Sequence, residues 1–94
     1  MHAVTKPKKK PNEKEEKVLQ ELLDLLEKLS IHVRYDRGFF NGGLVRYKDQ
    51  LYLYLNRKAD SASKIDLIVE ELKYIHIPEN LLSDNLKPYF QLKN

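Results

Sequence analysis

Leu44-Val45-Arg46-Tyr47-Lys48-Asp49-Gln50-Leu51-Tyr52-Leu53-Tyr54-Leu55 is the stretch that sets the fold class. Residues 51–55 alternate leucine with tyrosine, the period of two that places successive side chains on opposite faces of a strand. A shorter strand spans about Leu44 to Tyr47, and the polar Lys48-Asp49-Gln50 between them reads as a turn, so the two strands pair as an antiparallel hairpin. Immediately upstream, Ile31-His32-Val33-Arg34-Tyr35 repeats the same period, with Ile31, Val33 and Tyr35 on one face and His32 and Arg34 on the other. Asp36 to Gly43 joins the two as a loop, since Gly38 and the Asn41-Gly42-Gly43 cluster supply backbone angles that other residues resist.

On either side of these strands the period changes to three and four. Val18, Leu19, Leu22, Leu23, Leu25, Leu26 and Leu29 form a broad apolar stripe opposite Gln20, Glu21, Asp24, Glu27 and Lys28, and Asn12, three residues before Glu15, offers a cap at the start. So wide a stripe suits burial against a sheet; a coiled-coil seam would need more sustained heptads, and a monomer is favoured. A second helix runs from about Ala62 to Tyr74, capped by Asp60 or Ser61, with Ile65, Ile68, Val69, Leu72 and Ile75 inward, and His76-Ile77-Pro78 ends it. His76 is then expected at the negative end of that helix. Leu81, Leu82, Leu86, Tyr89 and Phe90 suit a short final helix interrupted by Pro88. The fold class is therefore α+β: a helix, a three-stranded antiparallel meander, a helix and a short C-terminal helix, in a single domain over residues 13–94 behind a basic flexible tail, residues 1–12.

The 94 residues have room for one small core, and with no cysteine the fold stands on packing without disulfides or thiolate metal sites. Nothing approaches a membrane-spanning run, and lysines and prolines occupy the place where a signal peptide needs an apolar stretch, so the expected compartment is the cytoplasm. The net charge of +3 is unevenly placed: residues 1–17 hold six lysines against three glutamates, whereas residues 18–94 hold eleven charges of each sign. Lys6, Lys8, Lys9 and Lys10 make the tail a compact polycation suited to phosphates.

Chemistry is sparse. His2, His32 and His76 show no metal-binding spacing, and Glu70 and Glu71, adjacent on a helix, point about 100 degrees apart and cannot flank one substrate. Ser61 and Ser63 lack a nucleophile elbow, and the glycines form neither a dinucleotide fingerprint nor a phosphate loop. No catalytic residue, metal ligand or cofactor is expected. Cations interleaved with rings, at Arg34-Tyr35, Arg46-Tyr47-Lys48 and Tyr52/Tyr54, suit stacking on bases and contact with phosphates, although no RNP-type motif accompanies them and a sheet face half covered by a helix has the same pattern.

Two resemblances carry further expectations. The order of helix, three strands and helix over residues 15–75 resembles the opening of IrrE/ImmA-type zinc metallopeptidase domains, with Tyr52-Leu53-Tyr54-Leu55-Asn56 as the matching strand and Leu67-Ile68-Val69-Glu70-Glu71-Leu72-Lys73-Tyr74 as the matching helix. On that register Glu71 takes the general-base position, while Glu70 and Tyr74 stand where the family has zinc-binding histidines, so the resemblance implies a scaffold without its metal. More closely worded, Val33-Arg34-Tyr35-Asp36-Arg37-Gly38-Phe39-Phe40-Asn41-Gly42-Gly43, with Leu55-Asn56-Arg57-Lys58, resembles a group of small uncharacterised bacterial proteins. That group implies a bacterial cytoplasmic protein and brings no mechanism.

The leading expectation is a non-catalytic interaction module that docks another protein or a ribonucleoprotein, with Phe39 and Phe40 as apolar anchors and Arg37 beside them, although the same two rings could equally fold back as a lid over the core. The alternative is a ribosome- or RNA-associated protein whose Lys6, Lys8, Lys9 and Lys10 neutralise phosphates while Arg34, Arg46, Tyr52 and Tyr54 contact nucleic acid. A degenerate metallopeptidase-like domain is the third.

Overall fold

The computed structural model describes residues 13–36 and 42–90. Asn12, the tail lysines, Arg37, Phe39 and Phe40 lie outside them. In chain order the elements are α1 (Glu13–Lys28), β1 (Ile31–Asp36), β2 (Gly43–Tyr47), β3 (Gln50–Asn56), α2 (Ser61–Leu72), a single 3-10 turn (Glu79–Leu81) and α3 (Lys87–Phe90). The α+β class and the element order agree with the sequence pattern.

Strand order is the point of difference. The sheet runs β1-β3-β2, with β3 antiparallel to β2 and parallel to β1, so it is mixed and not the expected antiparallel meander. Six residues separate Asp36 from Gly43, and at about 3.3 Å each they exceed the two strand spacings of about 4.8 Å between β1 and β2. A loop of that length does not distinguish a hairpin from a crossing. The tight connection is the other one: Lys48 and Asp49 alone, at φ 51° and 68°, close β2 onto β3 with two left-handed residues, while Gln50 already belongs to the strand. The β1–β3 ladder extends past the strands, where the Arg57 N–H donates to the Asp36 carbonyl at 2.7 Å.

Both helices lie on one side of the sheet. Val18, Leu22, Leu25 and Leu26 of α1 and Ile65, Ile68 and Leu72 of α2 form one buried cluster with Ile31, Leu53, Leu55 and Leu86. Each such side chain contributes about 1.5–3 kcal/mol by leaving water. The α1 leucines are thus used within the chain. Among the described residues the buried set is wholly apolar.

Local signals set the helix ends. The Asp60 carboxylate accepts the Ser63 N–H at 2.9 Å and so caps α2, and Ser61 Oγ donates to Glu16 at the corresponding end of α1. At its other end α2 tightens into bonds from Tyr74 N–H to Glu71 and from Ile75 N–H to Leu72, and the helix stops at Leu72, four residues short of His76. Ser30, at φ 62°, is the left-handed residue that ends α1. Pro88 falls in the first turn of α3, where a missing N–H costs little. The C-terminal segment returns to α1, where the Glu21 carboxylate accepts from Ser83 Oγ at 2.5 Å and Asn85 Nδ2 at 3.1 Å.

Candidate functional site

The strand register sorts every side chain of the sheet. Leu51, Leu53 and Leu55 point into the helix layer, and Leu53 and Leu55 are fully buried. Tyr52 and Tyr54, between them, therefore project from the opposite face, and both remain partly exposed. Residues in register share a face. One row across the sheet reads His32, Tyr52, Val45; the next reads Arg34, Tyr54, Gly43. Tyr47 and Gln50 extend this surface towards the hairpin, and Asp36 and Asn56 close the other end. Among the described residues α1 and α2 are the principal elements packed on the sheet, and both belong to its leucine side.

Polar contacts hold this face in order. The Arg34 guanidinium lies 5.2 Å from the ring centre of Tyr52 and donates to the Val33 carbonyl at 3.2 Å. The His32 ring is 5.1 Å from the Tyr52 ring, and its Nε2 pairs with Gln50 Oε1 at 2.5 Å, with the imidazole donating because an amide oxygen only accepts. At the hairpin, Lys48 Nζ lies 5.3 Å from the Tyr47 ring centre. Val45 and Tyr47 are 47% and 59% exposed. Beside Tyr54, Gly43 leaves open space where a side chain would stand. The neighbouring Gly42 is required for a different reason: at φ +102° its position faces the Tyr54 carbonyl and Leu67, and a Cβ there would come 2.6 Å from Leu67 Cδ2.

Of the residues that the sequence singled out, the structure gathers Arg34, Tyr52 and Tyr54 on one face. Arg46 is not with them. Its partner in β3 is Leu51, so it belongs to the helix side, where it lines an open cleft of about 670 Å³ with Glu27, Ser30 and Asp49. The sequence could not sort Arg46, because Leu44/Arg46 and Val45/Tyr47 each pair one apolar residue with one polar-tipped one. His32, Tyr47, Gln50 and Gly43 join the face through the register. Period two already separated His32 and Arg34 from Ile31, and that was the available signal.

Charge divides by layer. The helices α1 and α2 carry nine acids against four lysines, whereas residues 31–36 and 42–58 carry five cations against two acids. Within residues 18–94 the two helices hold six acids against two lysines, so the balanced charge of that stretch conceals acidic helices beside a sheet with more cations than acids, of which Arg34 lies on the open face and Arg46 on the helix side. No metal site interrupts this pattern: among the described residues no group of three or more His, Cys, Asp or Glu could hold a metal ion. On the metallopeptidase register, Glu70 pairs with Lys73 at 3.4 Å on the surface, and Tyr74 is 80% exposed and two residues beyond the end of α2. No helix among the described residues is long and apolar enough to cross a membrane.

Compared with family models, with curated proteins and with solved structures, the chain gives no match in any of the three.

Proposed function

We propose that this chain is a non-catalytic binding module of the bacterial cytoplasm, acting as a monomer, and that the helix-free face of its sheet is the contact surface. The observation that carries this reading is the pair of tyrosines on the central strand, Tyr52 and Tyr54, held among Arg34, His32, Val45 and Tyr47 on a face that neither helix covers. Rings and guanidinium groups are the side chains that dominate binding surfaces, because they bury much area for few rotatable bonds. The strands fix their spacing before any partner arrives, which lowers the entropy lost on binding. The α1 leucines, spent on the internal core, support the monomer. The absence of cysteine and the resemblance of residues 33–58 to small bacterial proteins support the compartment.

A photo-reactive phenylalanine analogue placed at position 47 or at position 70, in the full chain in cells, tests this reading. Tyr47 lies on the open face and Glu70 on the outer side of α2. Adducts formed from position 47 and not from position 70 are expected. Adducts from position 70 alone, or from neither, contradict the reading.

A further inference from the structure

The geometry points to single-stranded RNA as the ligand of the open sheet face, with bases stacked on Tyr52 and Tyr54 and phosphates met by Arg34 and Lys48. This rests on the reading of that face as the contact surface and names what it binds.

Three observations converge on RNA. The first is spacing: Tyr52 and Tyr54 are two residues apart on one face of the central strand, so their rings stand about 6.7 Å apart along it. A sheet that offers aromatic side chains in this way stacks two or three unpaired bases, each base having a π-face whatever its identity. Gly43 leaves the β2 flank of Tyr54 open, giving a base room to slide alongside the ring.

Charge is the second. A phosphate chain meets Arg34 on the open face and Lys48 at its hairpin, with Asp36 and Asp49 as the acids there, whereas the helices carry nine acids against four lysines. The field therefore favours approach from the sheet side and opposes it from the helix side. Arg34 is already laid over Tyr52, with a planar cation exposed for stacking or phosphate contact. Lys6, Lys8, Lys9 and Lys10 add sequence-independent attraction.

Hydrogen-bonding chemistry is the third. The paired His32 and Gln50 side chains and the two tyrosine hydroxyls offer donors and acceptors along the rim of the platform, which is what a 2′-hydroxyl needs and what DNA lacks. The centre of the face carries phenols, an imidazole and a guanidinium, and Val45 is its one aliphatic side chain among the described residues.

The test is fluorescence anisotropy of a labelled oligouridylate titrated with the full chain, with oligothymidylate in parallel, between about 50 and about 200 mM salt. Circular dichroism and thermal melting verify the fold of each variant. Valine keeps the strand preference of tyrosine while removing the ring, so Tyr52→Val and Tyr54→Val are each expected to weaken binding about tenfold. Tyr54→Phe, which retains the ring, should stay within about twofold if stacking carries the contact. Should a valine variant fail to fold, Arg34→Gln, an exposed change, gives the same reading through a weaker affinity and a shallower salt slope. Joint replacement of Lys6, Lys8, Lys9 and Lys10 by Gln should flatten the log–log salt dependence by about 0.7 for each phosphate that is no longer neutralised.

Absence of oligouridylate binding at the low-salt end overturns the inference. So does binding that the lysine replacements abolish and the sheet-face variants leave unchanged, and equal affinity for oligothymidylate overturns the choice of RNA. If oligouridylate does not bind while position 47 still yields adducts in cells, the RNA inference fails and the binding-face reading stands. If neither is seen, both fail.

Discussion

The guanidinium of Arg34 lies over the ring of Tyr52, one strand away and on the face opposite α1 and α2, at 5.2 Å from the ring centre. Such a contact at an exposed site contributes about 0.5–1 kcal/mol. Urea denaturation of Arg34→Gln, Tyr52→Leu and the double variant should therefore give a coupling energy in that range. Additive losses would show that the pair is adjacent without interacting.

Gly42 and Gly43 separate two costs that are usually mixed. Alanine at 42 meets both an unfavourable φ of +102° and the Tyr54 carbonyl and Leu67, whereas alanine at 43 meets only φ +151° and open space. Strain of this kind costs about 1–3 kcal/mol, and the clash adds to it at position 42 alone. Gly42→Ala should thus destabilise clearly more than Gly43→Ala in the same denaturation experiment. The reverse order would mean that Gly42 does not approach Tyr54 and Leu67 as described.

Ser30 ends α1 at φ 62°. The left-handed conformation costs a residue with a Cβ about 1–2 kcal/mol, and the greater freedom of glycine in the unfolded chain offsets about 0.5–1 of that. Ser30→Gly should raise Tm by about 4 °C, read by differential scanning calorimetry. An unchanged or lower Tm would place the cost elsewhere.

Glu21 links α1 to the C-terminal segment. The hydroxyl of Ser83 first, then the amide of Asn85 and the nearby Lys17, hold its carboxyl below the ordinary value of 4.5. A depressed carboxylate adds stability above its unfolded-state pKa, and that stability is lost as pH falls through the folded-state value. Wild type should therefore exceed Glu21→Ala in stability at neutral pH by up to about 1 kcal/mol, as expected of a surface contact. The difference should fade in acid below pH 4.5. Hydrogen exchange at residues 83–90 should be faster in the variant at neutral pH, and a difference independent of pH would contradict the link.

Much of the fold was legible because periodicity reports burial. The alternation of residues 51–55 identified the central strand, and the leucine stripe of α1 identified the helix that covers it. Strand order was not legible, since a six-residue connection serves a hairpin and a crossing equally well, and the parallel register of β1 with β3, from Ile31 with Leu51 to Asp36 with Asn56, is what distinguishes them. Of the candidate site, Tyr52, Tyr54 and Arg34 were recoverable from alternation. Arg46 was misplaced because β2 is an edge strand with one apolar residue on each face, so that its orientation depends on the register with Leu51 and Leu53.

Chemical-shift mapping is the most direct measurement of whether the helix-free face is where this chain binds. With uniformly labelled full-length protein titrated with oligouridylate, the account predicts perturbations concentrated at residues 32–34, 43–48 and 50–54, on the strands that carry Arg34, Tyr52 and Tyr54. Shifts confined to the N-terminal lysines or to α1 and α2, or no shifts at all, would contradict it.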